Sequence, residues 1–458
     1  MTTLPTRLGI ARDIAPAWRD RIGLLWPGDV RVFMPARVVV LLLLAGAGAG
    51  VLRLAADAPF DTVWAEDGSV FLSDAESRST VDAVLLPYAG YLHLVPRLLA
   101  ELAALLPIGW APAALTVSAA LVVAAVALVV YRVTAPHIRS TPVRVVVAAY
   151  IALLPVGREV VGNIANLHWF LLVAALCVLL WDPGTRAGLV LGAVVLIATA
   201  TSSPFAVLLL PLALLRLAIV RGRSGWVPFA ALASGVLVQV AAMLSAPERV
   251  LNPETNPVRI GVWYVGHVLA PALFGEVLVG ESKTVTVRML ALGLVTCAAL
   301  VLLILATRRA ELGRVRPFAA TCALGSVALY VVMVGSSGIA TGRYTVPPVL
   351  LLVLAVAAVF DALLSTRMHP ACLPGRPRVA TSALALFLAV LAIGWAVSLP
   401  IFGGRDDSVR WSSELRTATS SCPGEDLSGS SQRAATATLP ISPPGWSMTL
   451  PCRAVPDR

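Results

Sequence analysis

Apolar runs of about 20 residues recur along this chain from Val38 onward, each long enough to cross the hydrocarbon core of a bilayer. Inside a bilayer every backbone N–H and C=O must be paired within the protein. A run of this kind therefore has one regular solution, the α-helix. Charge content agrees, because 13% of residues are charged where a soluble domain carries about 25%. The fold class read from this pattern is an all-α integral membrane protein with about 11 transmembrane helices. Their ranges are near 38–55, 111–131, 143–157, 168–182, 187–201, 204–220, 227–246, 285–307, 317–335, 345–364 and 379–400. They divide the chain into an N-terminal arm (1–37), a polytopic domain (38–400) whose loop 56–110 is the longest aqueous segment, and a tail (401–458).

The formal charge is +10, and nearly every basic residue is arginine, with Lys283 the sole lysine. In a soluble protein such a balance would point to nucleic acid. Here the arginines alternate by loop, which is the positive-inside pattern. One set of segments holds Arg7 to Arg37, then Arg132, Arg139 and Arg144, then Arg186, Arg216, Arg221 and Arg223. It continues with Arg308, Arg309, Arg314 and Arg316, then Arg367, Arg376 and Arg378. The opposite set holds mainly Arg158, Arg249, Arg259 and Arg343. This bias predicts a cytoplasmic N-terminus, an extracytoplasmic tail and a plasma-membrane location. The arm ahead of Val38 is too long for an ordinary secretory n-region. Gly46 and Gly50 are spaced for close helix packing.

Two apolar segments carry too many polar groups for an ordinary span. Residues 80–108 include Tyr88, Tyr91, His93, Arg97 and Glu101, and residues 258–284 include Arg259, Trp263, Tyr264, His267, Glu276, Glu281 and Lys283. Both are expected as interfacial helices in outer loops. No inverted repeat of the transporter kind is evident. Of the six cysteines, Cys422 and Cys452 lie in the polar tail and are placed to pair in an oxidising compartment. No Cys/His cluster reads as a zinc site.

Chemistry concentrates on the predicted outer face. After the first span comes Trp64-Ala65-Glu66-Asp67-Gly68-Ser69-Val70-Phe71-Leu72, with two adjacent acids, flanked by Asp57, Asp61 and Asp74. Tyr88 to Arg97 follows. Arg158-Glu159 with Asn163, Asn166, His168 and Trp169 lies before the fourth span, and Gly342-Arg343-Tyr344 before the tenth. An acid at a membrane surface can take a proton from a sugar hydroxyl. Arginines at the same level can hold a lipid phosphate by charge-assisted hydrogen bonds. Aromatic and amide side chains can stack on and hydrogen-bond a sugar. The same residues have structural readings beside these. Glu66 and Asp67 can cap a helix, Arg343 can snorkel, Arg158–Glu159 can be a local ion pair, and Asn163, Asn166 and His168 can bridge helices. Lys283, His267 and Asp406-Asp407 read as solvated groups.

The acidic pair in Trp64-Ala65-Glu66-Asp67-Gly68, with Asn166-Leu167-His168-Trp169 and Gly342-Arg343-Tyr344, resembles the GT-C class of membrane glycosyltransferases. The arginine-rich composition resembles that of bacteria with GC-rich genomes, such as actinobacteria. The resemblance implies transfer of a sugar from a polyprenyl-phosphate donor to an envelope glycan or glycolipid at the outer face of the membrane. It implies Asp67 as catalytic base, with Glu66 as second choice. Arg158 and Arg343 would bind the donor phosphate, and His93, Arg97, Asn163, Asn166, His168, Trp169 and Tyr344 would shape the substrate site. It leaves open a magnesium or manganese ion on Glu66 and Asp67. The usual motif separates its two acids by one residue, whereas here they are adjacent. Two other classes fit the same topology: a transporter or flippase of lipid-linked sugars, and a non-catalytic assembly subunit. The first predicts ionisable residues lining a central cavity. The second predicts that Glu66 and Asp67 line no pocket.

Overall fold

The structure, a computed structural model, describes residues 22–30, 32–54, 58–246, 252–280, 282–307, 313, 315–367, 389–390, 392–398, 408–422 and 435–455. Several residues weighed above lie outside these: Arg7, Arg12, Arg19, Arg21, Arg31, Asp57, Arg249, Glu281, Arg308, Arg309, Arg314, Arg376, Arg378 and Asp406-Asp407, with Cys372 and most of the last predicted span.

Where the structure describes them, the apolar runs are largely helical. The helices are α1 (Ala36–Leu52), α2 (Leu94–Ala104), α3 (Ala111–Val133), α4 (Thr141–Ala152), α5 (Leu167–Leu179) and α6 (Arg186–Ala200). Then come α7 (Leu210–Ile219), α8 (Arg223–Ser245), α9 (Pro257–Val279), α10 (Val287–Thr307), α11 (Val315–Ser337) and α12 (Val346–Arg367). Among the described residues, six helical runs are long and apolar enough to cross a membrane: Ile108–Val133, Arg223–Ser245, Pro257–Val279, Val287–Leu305, Val315–Ser337 and Gly342–Ser365. The other apolar helices, α1, α4, α5, α6 and the run into α7, hold 10–17 residues.

One expectation changes. Residues 257–279, read as an interfacial helix, form an apolar helical run of 23 residues that is long enough to span, bent where Gly275 leaves helical geometry. Its Arg259, Trp263, His267 and Glu276 diluted the hydropathy signal, but they fall on a helix whose other residues are mostly Val, Ile, Leu, Ala, Gly and Pro. Residues 80–108 instead break into the short helix Thr80–Leu85 and the amphipathic α2, neither of spanning length.

At the centre stands α5, in which every residue is buried. A helix apolar on all sides has no face for water or lipid and belongs in a core. Helices α3, α6 and α12 pack around it. Its 13 residues make it about 20 Å long. One end is closed by arginine: Arg216, fully buried, donates to the carbonyls of Leu179, Trp181 and Ser224. These include terminal acceptors of α5 that no helical N–H can reach. Trp26 of the N-terminal arm donates to Leu179 O, and Trp181 donates to Asp29. Arg216 thus acts as a helix cap, a role that its charge alone did not reveal. Elsewhere Gly46 and Gly50 of α1 face Ala124 and Ala120 of α3, so the small-residue spacing is a helix–helix contact.

The tail contains the one departure from all-α structure among the described residues. Strands β1 (Thr436–Ile441) and β2 (Trp446–Pro451) pair antiparallel, Thr436 opposite Pro451 and Ile441 opposite Trp446. Alternation along β1 buries Ala437, Leu439 and Ile441, the period-2 pattern of a half-buried strand. Helix α13 (Trp411–Ser421) lies beside the hairpin, and a Cys422–Cys452 disulfide closes the unit. Closing a loop of this separation, 30 residues, contributes about 3–4 kcal/mol in the chain-entropy account.

Buried Asp361 of α12 accepts from two consecutive amides, Arg139 N at 2.7 Å and Ser140 N at 2.8 Å, at the start of α4. Replacing it with alanine leaves both amides without that acceptor. Asp361→Ala should cost about 2–4 kcal/mol, read as a lower unfolding midpoint of the detergent-solubilised protein, with Asp361→Asn in between.

Candidate functional site

The two adjacent acids open a wide helical turn, Asp67–Leu72, and face different surroundings. Asp67 is almost fully buried, and its two oxygens accept from Ile164 N at 2.8 Å and Ala165 N at 2.9 Å. A carboxylate that takes two backbone N–H groups fixes both segments. Here it ties the acid turn to the loop that enters α5. Glu66 turns the other way. Its Oε1 lies 3.5 Å from Nη1 of Arg343, and both side chains keep some exposure.

The loop before α5 is held from within. Asn166 N donates to Asn163 Oδ1 at 3.2 Å, and Trp169 Nε1 donates to Asn166 Oδ1 at 3.0 Å. His168 Nδ1 lies 3.0 Å from Ala165 O. A carbonyl only accepts, so Nδ1 carries the proton and Nε2 is left as an acceptor. Both Nε2 of His168 and Nδ2 of Asn163 are buried without a hydrogen-bond partner. Such atoms are rare enough to call for an explanation.

Aromatic rings extend from these groups. His168 lies 4.2 Å from Trp169, centroid to centroid, and Trp169 is 5.2 Å from Tyr344 and 5.9 Å from Phe205. On the other side Tyr91 stacks on His93 at 4.1 Å and meets His168 edge-on. Tyr91 is presented by a tight turn in which Ala89 and Gly90 both take positive φ and Tyr88 and Tyr91 exchange backbone hydrogen bonds. Trp169 and Tyr344 are buried, so they form a wall, while Glu66, Tyr91 and Arg343 form the accessible rim.

Arg343 sits on a turn, Gly342–Thr345, that begins α12. Gly342 has φ +61°, and a Cβ there would strike the Glu159 carboxylate. Only glycine fits both demands. That carboxylate accepts from Arg343 N at 2.7 Å. The Arg158–Val160 turn therefore packs on the Arg343 turn, and Arg158 N donates to Glu276.

The structure thus brings Glu66, His93, His168, Trp169, Arg343 and Tyr344 into one cluster, with Asp67, Asn163 and Asn166 behind it and Arg158 on an adjoining turn. It places Arg97 elsewhere. Arg97 is buried against Phe71, hydrogen-bonded at 3.0 Å to Asp74 and at 2.7 Å to Ala83 O. Burial pulls its guanidinium below the ordinary value, opposed by the hydrogen bond and charge of Asp74. Its position is that of a structural ion pair inside the loop. Tyr91, Phe205 and Glu159 join the cluster without having been selected from sequence. Tyr91 carried a signal in its spacing from His93, whereas Phe205 carried none.

As a pair, Glu66 and Asp67 do not fit a divalent ion. Asp67 directs both oxygens at amides, and Glu66 faces a guanidinium. Among the described residues no three His, Cys, Asp or Glu side chains gather as a ligand set.

No family model matches the chain, and no curated protein matches it. Among solved structures it is similar to the Archaeoglobus fulgidus oligosaccharyltransferase in complex with zinc and sulfate, with a TM-score of 0.39 and 16% identity. The match covers 85% of this chain and 56% of that one, so the chain spans little more than half that protein's length.

The Asp67 clamp has a direct test. Asp67→Ala should raise hydrogen exchange at residues 163–167 about tenfold or more, as two buried amides lose their acceptor. Exchange in α11 should stay unchanged.

Proposed function

We propose that this chain is a membrane glycosyltransferase moving a sugar from a polyprenyl-phosphate donor to an envelope glycan or glycolipid acceptor at the outer face of the plasma membrane. The observation that carries the proposal is the junction of Glu66 with Arg343 at an accessible rim, beside an aromatic wall in which a buried acceptor nitrogen, His168 Nε2, has no hydrogen-bond partner.

Glu66 is assigned as the base in place of Asp67. A base must reach the proton it removes, and Asp67 is buried with amides on both oxygens. Glu66 would take the proton of the acceptor hydroxyl while its oxygen attacks the anomeric carbon. The bond from that carbon to the phosphate oxygen breaks, and the lipid phosphate leaves with the bonding electrons. Displacement in line inverts the anomeric configuration. Arg343, with Arg158 on the adjoining turn, would stabilise the charge that develops on the phosphate. His168 Nε2 would accept from a sugar hydroxyl, and Tyr91 and His93 would offer ring surface to the sugar. Asp67, Asn163 and Asn166 would hold the α5 entry loop in register.

A transporter or flippase is less well supported. Its ionisable residues should line a cavity within the membrane. A cavity of about 360 Å³ between α4, α9, α10 and α12 is lined by residues such as Val143, Leu300, Leu352 and Phe360. The buried Arg216 and Asp361 are occupied by backbone groups.

The test is transfer of labelled sugar from a panel of polyprenyl-phosphate sugars by purified protein. Glu66→Gln should lower kcat about 10²- to 10⁴-fold, the usual worth of a general base, with the unfolding midpoint unchanged. Arg343→Ala should lower kcat/KM for the donor roughly 10- to 100-fold, the loss of a charge-assisted contact. Full activity in Glu66→Gln would remove the assignment, and no transfer with any donor by folded protein would turn preference to transport or assembly.

A further inference from the structure

The residue before Glu66 is in an unfavourable conformation. Ala65 has φ +39°, in the left-handed region that costs an L-residue with a Cβ free energy and persists where neighbours over-determine it. The neighbours come from the tail. Ala65 N donates to Ser442 O at 2.5 Å, and Ser442 N donates to Val63 O at 3.1 Å. Residues 63–65 are thus paired across Ser442 as a short parallel bridge. The Ser442 hydroxyl in turn accepts from Val409 N at 2.8 Å.

Contacts on both sides extend this grip. Asp61 O accepts from Trp411 N, and the Asp61 carboxylate accepts from both the amide and the hydroxyl of Ser412, at 2.7 and 2.9 Å. Ser73 donates to Thr449 O at 2.8 Å. Gly68 lies against the hairpin so closely that a Cβ there would come within 2.9 Å of Ile441. Phe71, Leu72 and Val63 share one buried cluster with Trp411, Leu439, Ile441, Met448 and Leu450. The unit making all these contacts is closed by the Cys422–Cys452 bond.

We infer that the disulfide-closed tail sets the geometry of the acid turn, with Ala65 and Ser442 as positioning residues that keep Glu66 facing Arg343. Released from Ser442, Ala65 relaxes to negative φ, and the rotation of its peptide carries Glu66 away from Arg343. The inference rests on the role given to Glu66 above, but its structural half stands apart from any activity.

The experiment uses the full chain in lipid nanodiscs. Hydrogen exchange at residues 62–70 is compared before and after reduction of the disulfide, and in a Cys422→Ser/Cys452→Ser variant. Exchange at 62–70 should rise about tenfold or more while α11 and α12 hold. In the transfer assay kcat should fall at least tenfold with donor KM little changed. Ala65→Gly keeps the N–H and adopts positive φ without penalty, so it should recover part of kcat in the reduced protein. Ala65→Pro lacks the N–H and fixes φ near −65°, so it should match the reduced protein even with the disulfide intact. Unchanged exchange at 62–70 after reduction overturns the inference, as does full activity in Ala65→Pro or no recovery in Ala65→Gly. Raised exchange beside a wild type that transfers no sugar supports the clamp and counts against Glu66 as base.

Discussion

The arrangement at the candidate site depends on one buried carboxylate. Asp67 accepts the consecutive amides of Ile164 and Ala165 on its two oxygens, and so locks the acid turn to the entrance of the central helix. Without that lock, the acid turn and the His168–Trp169 pair would be separate loops on separate helices. With it, Glu66 is delivered to Arg343, and the aromatic wall gains a fixed edge. The same device recurs where Asp361 holds the start of α4. In a low-dielectric interior a carboxylate with two amide donors is a strong, directional joint. This chain, short of charges, uses its acids in that way.

Helical architecture was readable because bilayers allow so few backbone solutions, and the predicted spans coincide with helices wherever the structure describes them. Length was less readable. Helices α4 and α5 are 12 and 13 residues, shorter than their apolar runs implied, because those runs continue into apolar loops buried in the protein. At 257–279 the converse holds: a segment read as interfacial proves long and apolar enough to span, because its polar side chains fall among apolar ones along one helical run. The hairpin of the tail was hidden by Ser, Thr, Pro and Gly content, although Ala437, Leu439 and Ile441 already alternate. At the site, residue types picked out several side chains that the structure brings together but could not tell the two acids apart. Glu66 and Asp67 are chemically alike and adjacent, and only the three-dimensional arrangement tells that one faces inward to amides and the other outward to arginine. Arg97 shows the same limit, since nothing local to it announces Asp74 as its partner.

The two ends of α5 answer each other. One is closed by Arg216, Trp26 and the carbonyls they engage. The other carries Asn166, His168 and Trp169, where the buried donor and acceptor atoms remain unfilled. At the first end the remaining buried atoms without a hydrogen bond, Arg216 Nη2 and Asp182 Oδ1, face each other at 3.7 Å as an ion pair. At the second, His168 Nε2 and Asn163 Nδ2 are buried without a hydrogen-bond partner.

The clamp between the acid turn and the tail joins residues as far apart as Ser73 and Thr449, 376 positions along the chain. During synthesis the acid turn is made early and its partner strand hundreds of residues later. Every intervening helix must be inserted before the two can meet. The acid turn therefore gains its contacts with β1, β2 and Ser442 only after the last helices are made. A chain arrested or truncated before β2 holds the described helices up to α12 and still lacks the strand that packs on the acid turn.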